Sequence, residues 1–221
     1  MLDQRDKPTV LIVGAGLGGL MQGTLLEKAS IPYTIFERFS IGKPLGSAIM
    51  VGPNLMGLFK QLSIDGEFKT IGKPTFDCVI GKDNMEVVHK VDFRHNIGYT
   101  GYCNYIVSRP ALYELLLRQI PPHKVLFNKR VLHTTDTSDG VAITTADKSI
   151  YEGDILVGAD GACSAVRQHM YGTLKQEGRL PESDQEELPF KSTCLVGQTE
   201  PLDFAVDFPE FLGESDPSTA H

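Results

Sequence analysis

The stretch VLIVGAGLGGL, Val10 to Leu20, constrains the fold more than any other part of this sequence. Thr9–Val13 is a short, continuous apolar run rich in β-branched residues, the pattern of a strand buried on both faces. Leu17–Ala29 then takes helical spacing, with Leu20, Thr24 and Leu25 on it and the small Gly19 and Gly23 on a packing side. Tyr33–Glu37 reads as a second buried strand. Strand, glycine turn, helix and strand within about 30 residues form a βαβ unit, which requires a parallel sheet.

Gly14, Gly16 and Gly19 make the spacing G-x-G-x-x-G, with Gly18 as an extra. The first permits a tight turn off the strand and the second lets the backbone approach a pyrophosphate. The third lets the helix pack close to the sheet, its N-terminal N–H groups facing the anion. A glycine turn alone also serves plain packing; the acid Glu37 at the end of the next strand adds the acceptor that a ribose diol needs. Glu37 is followed by Arg38, and an acid at this place suits a ribose without a 2′-phosphate. FAD and NAD both remain compatible with these residues.

Further along, Ile41–Gly57 is rich in Gly, Pro and Ser and reads as a long loop leading into a short helix over Asn54–Leu62. Phe76–Ile80 and Met85–Val91 flank GKDN, a hairpin turn, and Tyr102–Val107 is another extended stretch. Ser108 is placed to cap a helix with Pro110 in its first turn, an apolar face at Leu112, Leu115, Leu116 and Ile120, and Pro121-Pro122 as its stop. Val125–Leu132 and Val141–Ala146 read as an antiparallel pair, and Asp154–Asp160 as one more buried strand. Ser164 is placed to cap the helix that carries Arg167. From Gly172 to Pro189 the chain is polar and acidic, a linker; Lys191–Gly197 is a last strand candidate, and Pro209–His221 reads as disordered.

Composition excludes some classes of partner. The formal net charge is −7 over 221 residues, which argues against a nucleic acid held through its phosphates. No run of about 18 apolar residues is present, so no transmembrane helix is expected, and the charged start MLDQRDKPTV lacks a signal-peptide core. Cys78, Cys103, Cys163 and Cys194 are widely spaced, as idle thiols in a reducing, cytoplasmic location would be. His89, His95, His123, His133 and His169 show no ligand spacing and read as structural or surface residues; no metal site is expected.

Three further stretches carry a resemblance: PLGSAIMVGPNLMGLFKQLSI (Pro44–Ile64), YIVSRPALYELLL (Tyr105–Leu117) and YEGDILVGADGACSAVRQHMY (Tyr151–Tyr171). With the glycine turn, in this order, they resemble the single-component FAD-dependent monooxygenases of the para-hydroxybenzoate hydroxylase type, fungal secondary-metabolism members above all. The likeness runs to about Glu200, with CLVGQTEPLD (Cys194–Asp203) still similar to a family segment. It implies FAD as cofactor and NAD(P)H as co-substrate. Asp160, Gly161 and Arg167 match the family's second fingerprint, and Arg109 matches the arginine at the flavin's phosphate–ribose region. The loop around Ser47, Ala48 and Met50 matches the segment passing the flavin ring, although Met50 stands where relatives carry a small residue. From the residues alone, Asp160 also reads as a turn or cap residue and Arg109 as a first-turn cation, an unfavourable place unless an anion is bound.

The fold class expected is α/β: a Rossmann-type FAD-binding domain interleaved with a partial β-rich substrate domain. Residues 1–75 would be the first part of the FAD-binding domain, 76–107 partial substrate-domain strands, 108–171 the FAD-binding domain continued. Residues 172–221 would hold the linker, the start of the substrate domain and the acidic tail. Members of the family are about twice this length and carry a third Gly-Asp fingerprint that has no counterpart here. The implied function is NAD(P)H- and O2-dependent hydroxylation or epoxidation of a small organic substrate, with no catalytic side chain identified. A second polypeptide supplying the C-terminal half, a truncated nucleotide-binding remnant and an NAD-binding reductase stay open as alternatives.

Overall fold

The apolar run ahead of the glycine turn becomes the centre of a parallel sheet. The computed structural model describes residues 7–41, 46–84, 86–186, 193 and 206. In it β1 (Val10–Val13) is buried along its whole length, and α1 (Leu17–Lys28) leads to β2 (Tyr33–Phe36). β1 and β2 run parallel with Val10 opposite Tyr33 and Val13 opposite Phe36. α1 buries Gly19, Leu20, Gly23, Thr24 and Leu26. Fully buried Ile12, Leu20 and Ile35 each contribute about 1.5–3 kcal/mol relative to an exposed position.

The next stretch departs from the sequence reading. Within the expected loop Ile41–Gly57 lies a strand, β3 (Ala48–Val51), before α2 (Pro53–Gln61); residues 42–45 lie outside the described ones. Two further unforeseen elements follow, α3 (Asp65–Ile71) and β4 (Gly72–Thr75). β5 (Asp77–Gly81) and β6 (Val87–Asp92) form the expected hairpin, with a register irregularity at Ile80/Gly81. A short α4 (His95–Thr100), also unforeseen, precedes β7 (Asn104–Ser108), which pairs antiparallel with both β3 and β4. α5 (Arg109–Leu117) starts where expected, but the Ser108 side chain makes no capping bond. Ser108 instead closes the β3–β7 ladder opposite Ala48 and leaves its side chain exposed.

The expected strand Val125–Leu132 is two strands belonging to different sheets. β8 (Val125–Leu126) joins β2 in the parallel sheet. β9 (Val131–Thr137) turns away to pair antiparallel with β10 (Gly140–Thr145), and β11 (Ile150–Gly153) completes that sheet. The positive φ of 58° at Asn128 lies in the bend between β8 and β9. β12 (Ile155–Gly158) returns to the parallel sheet beside β1, giving the order β12-β1-β2-β8. Because β12 is the end strand among the described residues, it is not buried as expected: Ile155 is 46% exposed. α6 (Ala165–Gln176) runs past Gly172, where a linker was expected. Arg179 N–H to Leu174 C=O (2.8 Å) and Gly178 N–H to Lys175 C=O (3.1 Å) close it in a Schellman ending.

The chain divides after Leu188 into two units. Of the second, Pro189–His221, only Thr193 and Val206 are described, so the strand candidate Lys191–Gly197 and the tail lie outside the described residues. No helix among the described residues is long and apolar enough to cross a membrane.

Candidate functional site

The glycines after β1 are needed for different reasons. Gly14 has φ +102°, and a Cβ there would collide with the Ala159 carbonyl in the strand exit alongside. Gly19 has an ordinary φ, but a Cβ would overlap the Gly14 carbonyl oxygen, so α1 and the turn touch backbone to backbone. Gly16, at φ −75°, has no atom within 4 Å of where its Cβ would stand. Its missing side chain leaves room over the N-terminus of α1, and α1 has no acid in its first turn.

That room is part of a cleft of about 370 Å³ at the C-terminal ends of the parallel strands. Neighbouring strands lie on both sides of β1, so the crevice sits where chain connections diverge, the usual ligand position in such sheets. Gly14, Gly16, Glu37, Arg38, Arg109, Asp160 and Gly161 all line it, joining four separate sequence segments. Gly19 supports the turn from behind. Lys129 and Arg130 bring the lining cations to four against two acids, although the chain as a whole is acidic. This local excess suits an anionic ligand.

Glu37 is 9% exposed. One carboxylate oxygen accepts from Ala15 N–H at 2.9 Å and the other from Phe39 N–H at 3.0 Å, so the acid ties the glycine turn to the end of β2. Each oxygen keeps lone-pair capacity for a ligand hydroxyl. Arg38 stacks over the Phe39 ring at 4.8 Å. Asp160 accepts from Ser164 Oγ (2.5 Å) and from Ala165 N–H (2.7 Å), while Ser164 Oγ accepts from Arg167 N–H (3.0 Å). Ser164 is thus the cap expected, and Asp160 orders the start of α6 while lining the cleft. Arg167 donates to the Ala162 carbonyl and is not among the lining residues.

Ala48 and Met50 are not brought to the cleft. Both are exposed on β3, and Met50 Sδ accepts from Asn104 Nδ2 at 3.5 Å. The sequence reading also missed lining residues. Lys129 is held in its protonated state by its bond to Asp147, and Cys163 is an exposed free thiol at the cleft. Tyr113, four residues after Arg109 and so on the same helix face, lines the cleft as well; that spacing was the available signal. His133 and His169 stack on each other, 6.0 Å between ring centres, with Thr134 Oγ1 3.4 Å from His169 Nδ1. Among the described residues no three side chains form a metal-binding cluster.

Residues 7–203 match the FAD binding domain family. The chain belongs to that family. Of the two dinucleotides that the glycine turn and Glu37 allow, this FAD-binding domain therefore takes FAD. It is 29% identical over 219 residues to the FAD-dependent monooxygenase ausM of Penicillium brasilianum, aligning 91% of this chain with 43% of that protein. Against the 6-hydroxynicotinate 3-monooxygenase of Bordetella bronchiseptica, identity is 28% over 171 residues, 76% of this chain and 44% of the other. Klebsiella pneumoniae HpxO, solved with FAD and uric acid, superimposes with a TM-score of 0.66 at 28% identity, covering 74% of this chain and 42% of that one. The chain spans less than half the length of these relatives.

The residues present fit FAD. Gly16 provides a place for close backbone approach, and the cations and the first N–H groups of α1 suit a pyrophosphate. Glu37 offers the acceptor for a ribose hydroxyl.

Proposed function

We propose that this domain holds the flavin of an FAD-dependent monooxygenase, which uses NAD(P)H and O2 to hydroxylate or epoxidise a small organic substrate in secondary metabolism. The observation that carries the reading is the single cleft lined by Gly14, Gly16, Glu37, Arg109 and Asp160. Bound flavin supplies the electron transfer and oxygen activation; the chain's own residues bind it, orient it and shield part of it from water. Gly16 admits the pyrophosphate, Arg109 meets its charge and Glu37 holds the adenosine ribose. The division into FAD-binding segments 1–75 and 108–171 around substrate-domain strands in 76–107 belongs to the same reading. So do a cytoplasmic location and a second polypeptide contributing the remaining part of the active site.

A second reading, a flavin-binding module without chemistry of its own, is favoured by the position of Ala48 and Met50. Assigned to the flavin ring by resemblance, both stand outside the cleft.

Titration of the purified protein with FAD, followed by flavin fluorescence, tests the cofactor; NADH and NADPH oxidation in the presence of candidate small organic substrates tests the activity. Tight FAD uptake with substrate-stimulated oxidation supports the monooxygenase. FAD uptake without it favours the binding module, and a protein that takes up no FAD overturns both.

A further inference from the structure

Tyr113 Oη is the one buried side-chain polar atom among the described residues that has no hydrogen-bond partner. The rest of the ring is core: Tyr113 is 6% exposed and packs in the main cluster with Leu112, Leu115 and Leu116. Phenylalanine would fill the same space without burying an unmet hydroxyl, so folding gains nothing from this oxygen. The residue lines the cleft together with Glu37 and Arg109.

The hydroxyl's surroundings define what it can bind. Burial first, and then the negative charge of Glu37, push the Tyr113 phenol above its ordinary pKa. It therefore keeps its proton and is available as a donor. Glu37 accepts from the Ala15 and Phe39 N–H groups and not from this hydroxyl, and each of its oxygens keeps a lone pair for a further donor. A buried donor near a carboxylate that it does not bond to suits a ligand hydroxyl, which accepts from one and donates to the other.

We propose that the Tyr113 hydroxyl donates a hydrogen bond to a ribose hydroxyl oxygen of the bound dinucleotide, whose own hydrogen goes to Glu37. The proposal rests on the FAD-binding reading above. In it Tyr113 is a binding residue that distinguishes a ribose diol from a deoxyribose, and its hydroxyl is satisfied only in the loaded protein.

The test compares wild type with Tyr113→Phe in FAD affinity and in ligand-free melting temperature. The expected result is a crossover. FAD binding weakens about 3- to 10-fold, the worth of one neutral hydrogen bond, while the ligand-free variant melts at the same temperature as wild type or higher. A purely structural hydroxyl would lower the melting temperature and leave affinity alone, which overturns the proposal. ADP and 2′,3′-dideoxy-ADP then locate the contact. If the ribose is the partner, Tyr113→Phe weakens ADP but not the dideoxy compound. Equal weakening of both would place the contact on phosphate or adenine and overturn the ribose assignment. Wild-type protein that takes up no FAD removes the underlying reading and this proposal with it; wild type and variant that bind FAD equally remove the Tyr113 proposal alone.

Discussion

Glu37 and Gly16 separate stability from binding at single positions. Glu37→Ala leaves the Ala15 and Phe39 N–H groups without their acceptor. We expect a loss of about 3–6 kcal/mol in urea unfolding, from two bonds to a charged group, together with weaker FAD retention. An unchanged unfolding midpoint would mean that this bridge does not hold the turn. Gly16→Ala should do the opposite. Its Cβ meets nothing within 4 Å, so stability should stay within about 0.5 kcal/mol. FAD affinity should fall by about 5- to 150-fold, the cost of overpacking a close approach by one methyl. Gly19→Ala supplies the contrast: its Cβ overlaps the Gly14 carbonyl, and about 3 kcal/mol or more of stability should be lost. These glycines and Glu37 were legible because spacing and chain order expose them. Tyr113 was not, because a tyrosine among leucines on a helix reads as part of an apolar face, and only the fold shows its hydroxyl without a partner.

At the scale of elements, the strand order is pinned at its far end by a polar clamp. Glu27, at the C-terminal end of α1, accepts from Tyr33 Oη (2.9 Å) at the start of β2 and from Lys124 Nζ (2.6 Å) just before β8. The Lys124 bond, against partial desolvation, holds the Glu27 carboxyl below its ordinary pKa. A carboxyl lowered by folding gives stability that is complete above its unfolded value, near about 4.3, and is lost as pH falls through the folded value. Asp147, lowered chiefly by Lys129 and then by Thr145, acts in the same acidic window. Stability measured by urea unfolding should therefore fall below about pH 4, and Glu27→Gln should flatten that decline. The change should stay under about 1 kcal/mol, because the Glu27 side chain is 36% exposed. A variant that follows the wild-type acid limb would show the clamp carries no linkage. Why some elements were legible follows from the same geometry. β1, α1 and β2 carry their periodicity within themselves. β3 and β4 are short, contain Gly, Pro or small residues, and exist because β7 offers both of its edges. Val125–Leu132 looks like one strand locally, and its split between two sheets is set by partners far away in sequence.

At the scale of the whole molecule, the cleft is a closure of distant segments. Residues 14–16, 37–39, 109–113, 129–132 and 159–165 supply its walls, and the parallel sheet brings the earliest and the latest of them side by side. A ligand that touches all of them should stabilise them as one unit. At a hundredfold excess over Kd, FAD should add about 2.7 kcal/mol, a rise in melting temperature of about 5–10 °C for a chain of this size. Hydrogen exchange resolves where that energy goes. FAD should slow exchange together in the β1–α1 turn, the first turns of α5, the start of β9 and the start of α6. The β5–β6 hairpin lines no part of the cleft and leaves Val79, Ile80, Val87 and Val88 more than half exposed. It should exchange at the same rate with and without FAD. Protection confined to residues 14–20 would describe a phosphate site on one helix end, in which Glu37, Arg109 and Asp160 take no part. Protection of all the walls at once is what a dinucleotide spanning the switch between β1 and its two neighbours requires.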